Sequence, residues 1–267
     1  MAISLADIKQ SIVGPPRVLI YGVPGIGKTT VASRFPKPIF VPIEEGLGKL
    51  DVAAFPRPKN YREVCECLGA LLEQPHDYQT LVIDSADTLE PMLWDYVTET
   101  VPSEKGGKVG NIHGYGFHKG FDHAKKEWAA FLSLLTQVRD SGMAVCVLAH
   151  STIAHVDSPE VDAYDRYQPS IEKKSEPLLR GWADMILFLN YKMVAVEANG
   201  RTDDRRRAVG KGERVAYTTE RPAWYAKNRY GLPDKIEIPE GRPEVIWSEI
   251  DKAMTTPAMA TEIATVS

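Results

Sequence analysis

A chain of 267 residues, 43 % of them hydrophobic, is long enough to bury the core of one large α/β domain. Its 32 basic and 36 acidic residues leave a net charge of −4, which excludes a polycation that coats nucleic acid over its whole surface and confines any such contact to local patches. No apolar stretch reaches bilayer length, the first residues lack a leader pattern, and Cys65, Cys67 and Cys146 match neither a zinc spacing nor a disulfide framework; the expectation is a cytoplasmic protein with reduced thiols and no membrane partner.

Residues 4–13 read as a short helix that Gly14, Pro15 and Pro16 end. An apolar strand, 17–21, then runs into Gly22, Val23, Pro24, Gly25, Ile26, Gly27, Lys28, Thr29 and Thr30. The spacing is G-x-x-x-x-G-K-T, and it sits between a strand and a helix as a phosphate-binding loop must. The glycines let successive N–H groups turn inward on the phosphates of ATP, Lys28 reaches the β- and γ-phosphates, and the Thr29 hydroxyl is a ligand for Mg²⁺. A second strand, 39–43, carries a proline, Pro42, that suggests an edge or bulged position, and it ends at two carboxylates, Glu44 and Glu45.

A helix over 61–74 leads to the uncharged run 80–83, a buried parallel strand whose C-terminal end delivers Asp84 to the ligand edge as the second anionic group of the metal site. After a helix over 87–101, residues 102–120 form a glycine-rich loop that interleaves Lys105, Lys108 and Lys119 with Tyr115 and Phe117. Cations for phosphates beside rings for bases suit single-stranded DNA; a solvated surface loop is the plain alternative. A long helix, 121–141, precedes the strand 143–150, which terminates in His150 as a reporter of the γ-phosphate.

Residues 151–169 show no regular pattern. A helix over 171–182 and a strand over 184–190 follow, then a β-hairpin over 192–217 with 214–217 as its return arm and Arg201, Arg205, Arg206, Arg207 and Lys211 at its tip, facing solvent, phosphate or a neighbouring subunit. A last strand, 222–226, leads to Lys227 and Arg229, and a helix over 243–254 closes the ordered part. The expected organisation is an N-terminal helix (1–14), a core (15–235) that includes the hairpin, and a C-terminal helix and tail (236–267).

With the phosphate loop, the strand ending in Asp84 and the strand ending in His150 in place, residues 15–235 resemble the RecA-like core of phage-encoded AAA-type ATP-binding proteins, including phage single-strand annealing recombinases. The resemblance implies a mainly parallel central sheet flanked by helices, with a C-terminal β-hairpin extension. It also implies a DNA-stimulated, Mg²⁺-dependent ATPase in which Glu44, with Glu45 as competitor, orients the attacking water, and in which the strand of His150 lies between those of Lys28 and Asp84. RecA's DNA-contacting loops correspond to about 102–120 and 151–169, the second acidic here. Lys227 and Arg229 resemble cations inserted into a neighbour's ATP site, so the implied partners are single-stranded DNA, a single-strand DNA-binding protein, and further copies of the chain in a ring or filament. A small-molecule kinase and a nucleotide-gated scaffold are the rival readings.

Overall fold

A computed structural model describes residues 14–103, 106–159, 162–192, 194–196, 207–209 and 212–256. The expected helix at 4–13, Lys105, the hairpin-tip residues Arg201, Arg205, Arg206 and Lys211, and most of the tail lie outside the described residues. Strand β1 (Arg17–Gly22) is followed by α1 (Lys28–Ala32), β2 (Pro38–Pro42), the two-residue β3 (Ala53–Ala54), α2 (Tyr61–Glu73), β4 (Thr80–Asp84) and α3 (Ala86–Thr100). Then come a 3-10 turn (Ile112–Tyr115), α4 (Lys119–Asp140), β5 (Ala144–Val156), β6 (Tyr164–Pro169), α5 (Glu176–Trp182), β7 (Met185–Tyr191), β8 (Val194–Val196), β9 (Arg207–Val209), β10 (Arg214–Tyr217), β11 (Lys227–Asn228), β12 (Lys235–Ile238) and α6 (Val245–Thr255).

The main sheet has the order β12-β10-β7-β1-β5-β4-β2-β3. From β7 to β3 the strands are parallel, while β10 and β12 extend the sheet antiparallel. Because side chains alternate along a strand, Leu19 and Tyr21 face one layer and Val18 and Ile20 the other, and both layers are sealed. The first layer holds α2 to α5 with Trp128, Phe131 and Leu135; the second holds α1 and α6 with Val31, Phe35, Ile246 and Ile250. Asn60 starts α2 by accepting the Glu63 N–H at 3.0 Å, while Glu63 accepts the Lys59 N–H, a reciprocal cap.

Four expectations are corrected here. Strand β2 is penultimate rather than an edge, and its prolines fit because β3 pairs only with Ile39 and Phe40 between them. Residues 151–169 are not irregular: β5 runs on past the sheet and pairs antiparallel with β6, Ser151 opposite Pro169 through Val156 opposite Tyr164. The 192–217 hairpin closes through β9, while 214–217 belongs to the main sheet beside β7. The strand at 222–226 is replaced by a tight turn, with β11 after it; β12 and α6 pack against the second core layer.

The hairpin of β5 and β6 is tied to the sheet at its base. The Tyr21 ring stacks on Phe188 (4.9 Å), which stacks on Tyr167 of β6 (5.1 Å), and the Tyr21 hydroxyl donates to the Tyr167 carbonyl at 3.1 Å. The Ser170 N–H returns to the His150 carbonyl at 2.8 Å. Buried Glu90 of α3 accepts the Glu172 N–H and the Trp128 indole N–H, and burial pushes its carboxyl up to about 7.

Candidate nucleotide-binding site

The turn after β1 is shaped by its glycines. Gly25 (φ 75°) and Gly27 (φ 99°) occupy the left-handed region, and a Cβ on Gly22 would collide with the Leu189 carbonyl oxygen of the adjacent β7. Ile26, 1 % exposed, anchors the turn in the second core layer. Lys28 is 6 % exposed, and its ammonium donates to the carbonyls of Gly22 (3.2 Å) and Val23 (3.3 Å). Burial lowers its pKa, because a charge removed from water is disfavoured unless an anion arrives.

Strand β5 separates β1 from β4 and places His150 opposite Gly22. From β4, Asp84 accepts the Thr29 hydroxyl at 2.9 Å through Oδ2, whereas its buried Oδ1 has no hydrogen-bond partner. Burial, opposed by the Thr29 bond and aided by the nearby Glu44, pushes this carboxyl up to about 6. Glu44 accepts from Thr88 Oγ1 (3.3 Å) and Ser85 Oγ (3.4 Å) and lines the same cavity as the turn. Glu45 points away, 88 % exposed and ion-paired with Arg57 at 2.8 Å. Of the two competing carboxylates, Glu44 is the one at the site.

The cavity measures about 390 Å³ and is lined by Gly25, Gly27, Lys28, Thr29, Thr30, Glu44 and His150 among others. His150 is fixed rather than swinging: its backbone N–H donates to Asp87 Oδ1 (2.9 Å) and its Nδ1 lies 2.8 Å from Asp87 Oδ2. Among the described residues no group of three or more His, Cys, Asp or Glu surrounds one point. A hydroxyl, Thr29, beside a carboxylate with an orphaned oxygen, Asp84, nevertheless fits Mg²⁺, which takes one or two protein ligands and completes its shell with phosphates and water.

The other expected residues do not converge on this site. Lys227 and Arg229 lie near Met185 and Ile186, at the opposite end of the parallel strands. Within the chain the Lys227 ammonium donates to the carbonyls of Arg180 (2.8 Å), Gly181 (3.2 Å) and Ala183 (2.6 Å) at the C-terminus of α5. Arg229 is 53 % exposed and pairs with Asp184 at 3.3 Å, a carboxylate that also holds Arg17 at 2.7 Å.

In the 102–120 stretch Tyr115 packs against the end of α3, its hydroxyl 2.6 Å from the Val101 carbonyl and 3.0 Å from that of Val97, which also accepts the Val101 N–H. Phe117, by contrast, is 95 % exposed, Lys108 is exposed, and Lys119 begins α4. The sequence pattern gave no role to Arg214, whose guanidinium the fold lays against the phosphate turn from β10. No local motif marks it, since only the β7–β10 pairing brings it there.

Together the glycine turn, the buried lysine and the Thr29–Asp84 pair define a P-loop nucleotide-binding protein with a central sheet flanked by helices. The chain belongs to the AAA domain family (AAA_24), whose model matches residues 14–230. It is similar over its whole length to the SPbeta prophage-derived uncharacterized protein YorG of Bacillus subtilis (strain 168), with 25 % identity over 276 residues and 76 % of that relative covered. No described helix is long and apolar enough to cross a membrane.

Proposed function

We propose that the chain is a phage-encoded, Mg²⁺-dependent ATPase with a RecA-like core that acts on single-stranded DNA during recombination, annealing or replication. The observation that carries the nucleotide part is the Thr29–Asp84 contact at 2.9 Å just after the glycine turn, with the second, buried Asp84 oxygen unpartnered. The turn amides and Lys28 hold the phosphates, Thr29 and Asp84 hold Mg²⁺, and Glu44 orients the attacking water, as its hydroxyl partners Ser85 and Thr88 fix its carboxylate. Bound Mg²⁺ supplies positive charge to the β- and γ-phosphate oxygens. His150, in register with Gly22, reads the terminal phosphate and passes its state to Asp87 on α3.

The DNA part is supported by the exposed Phe117 and Lys108, and by the β5–β6 hairpin that continues directly from His150 and presents Ile153, 59 % exposed. The prophage origin printed for the similar Bacillus protein supports a phage setting. Further copies of the chain and a single-strand DNA-binding protein are the proposed partners. With Lys227 committed to its own subunit, Arg229 is the remaining residue offered to a neighbour.

One assay tests the reading: ATP hydrolysis with and without single-stranded DNA, over protein concentration and salt, for the wild type and Lys28→Ala. The expected result is turnover stimulated by DNA, a stimulation that fades as salt rises, and loss of turnover in the variant. Unchanged hydrolysis in Lys28→Ala overturns the nucleotide site, and turnover indifferent to DNA overturns the DNA part.

A further inference from the structure

The phosphate cavity does not stand alone. On the far side of the turn from Asp84, Glu44 and His150 lies a second cavity of about 600 Å³, lined by Gly25, Tyr191, Lys192, Arg214, Glu237 and Ile238 among others. Gly25 lines both cavities, so the two adjoin at the turn. Lys28, Thr29, Glu44 and His150 line the first cavity only.

Arg214 stands at the junction. It is half-buried on β10, opposite Tyr191 of β7, and its Nη1 lies 3.5 Å from the Ile26 carbonyl, a long contact that leaves most of its hydrogen-bonding capacity unspent on that oxygen. A Cβ on Gly27 would come 2.7 Å from the same nitrogen. The guanidinium therefore lies against the turn on its carbonyl side, between the second and third glycines, beside the N–H groups that build the floor of an anion site. Lys28 approaches that floor from the buried side and Arg214 from the open side. A planar cation with several donors at such a position matches the oxygens of a phosphate.

We propose that Arg214 binds the α-phosphate of the nucleotide from within the same chain, and that the 600 Å³ cavity beyond it seats the nucleoside. The inference rests on the nucleotide-binding reading above and assigns the end of the ligand which that reading leaves open. The orientation follows from chemistry: the reacting γ-phosphate belongs beside Asp84, Glu44 and His150, so the part entering the second cavity is the ribose and base. Tyr191, 37 % exposed, offers its ring there for stacking, and Lys192 is held at the rim between Glu213 (3.4 Å) and Glu237 (3.1 Å).

A cation on the α-phosphate helps ATP, ADP and AMP alike, in contrast to a residue that reads the γ-phosphate. Titration calorimetry of the full chain with ATP, ADP, AMP and adenosine, for the wild type, Arg214→Gln, Arg214→Lys and Lys28→Ala, tests this. Arg214→Gln is expected to weaken the three nucleotides by one common factor, about tenfold to a hundredfold for a charge-assisted contact, to leave adenosine unchanged, and to recover in part in Arg214→Lys. Where turnover is measured, KM rises and kcat stays.

Wild-type affinity for ADP in Arg214→Gln, with Lys28→Ala defective, overturns this inference and leaves the parent reading standing. Weakening confined to ATP places the contact on the γ-phosphate and overturns the assignment. A wild type that binds no adenine nucleotide overturns the parent reading and this one with it. Both Arg214 variants losing several degrees of thermal stability together with all binding, adenosine included, makes the residue a structural prop and also refutes the proposal.

Discussion

Asp84 is the proposed Mg²⁺ ligand and its buried charge also destabilises the fold, and the two effects separate in Asp84→Asn. The carboxyl is 2 % exposed, and burial raises its pKa from 3.8 to about 6. An acid whose pKa is raised by folding favours the folded state in its protonated form. That contribution is fully present below pH 3.8 and is lost as pH rises through 6. The whole gap is worth about 3 kcal/mol, of which about 2 kcal/mol falls between pH 4.5 and pH 8.

Asparagine keeps an acceptor for Thr29 and carries no charge to desolvate, and any penalty for its amide is the same at both pH values. The expected outcome is therefore a relative gain: the stability of Asp84→Asn minus that of the wild type increases by about 2 kcal/mol from pH 4.5 to pH 8. For a domain of this size that is roughly 4–8 °C in Tm. Thermal unfolding by circular dichroism without nucleotide measures it, and adding Mg²⁺ with ATP at pH 8 should raise Tm in the wild type alone. A difference between the two proteins that does not change with pH refutes the argument that a desolvated charge sits at Asp84.

Three further outcomes follow from the geometry. Gly22→Ala drives a methyl into the Leu189 carbonyl of β7, a backbone atom that cannot rotate away, and should cost about 3 kcal/mol or more, read as a fall in Tm of roughly 6–12 °C; an unchanged Tm counts against the β1–β7 register. Glu44→Gln should lower ATP turnover by about 100-fold or more while sparing ATP binding, whereas Glu45→Gln, which loses only an exposed ion pair with Arg57, should leave both unchanged; the reverse pattern would exchange their roles. Lys227→Met strips three helix-end carbonyls of their donor and should destabilise by about 1–3 kcal/mol in denaturant titration with turnover preserved; turnover lost at undiminished stability would return Lys227 to a neighbour's site.

The site was legible where chemistry and local pattern coincide. Gly22 to Thr29 and the run ending in Asp84 each combine a buried strand with a fixed residue type at its tip, and both strands fall where periodicity put them. What stayed hidden depended on pairing between distant segments. Ser151 to Val156 mixes Ser, Thr and His with Ile, Ala and Val in a strand with no buried face, so no apolar stripe marks it, and only β6 eight residues later makes it a ladder. The alternation at 214–217 is the same whether the segment pairs with β8 or with β7, so local pattern does not reveal its partner. Nor does the sequence reveal that the end of α5 folds beneath Lys227.

Strand β5 is 13 residues long, about 43 Å at the usual rise, and its sequence from Ala144 to Val156 contains neither glycine nor proline. Its inner half is clamped between β1 and β4, its outer half is stiffened by β6, and His150 marks the fulcrum. The same residue is also where the returning strand is fastened, through Ser170. Such a beam has no hinge between core and projection. A load on the hairpin is delivered to the phosphate site as displacement rather than absorbed by bending, and an insertion of even one residue between His150 and Ile153 would rotate every hairpin side chain to the opposite face.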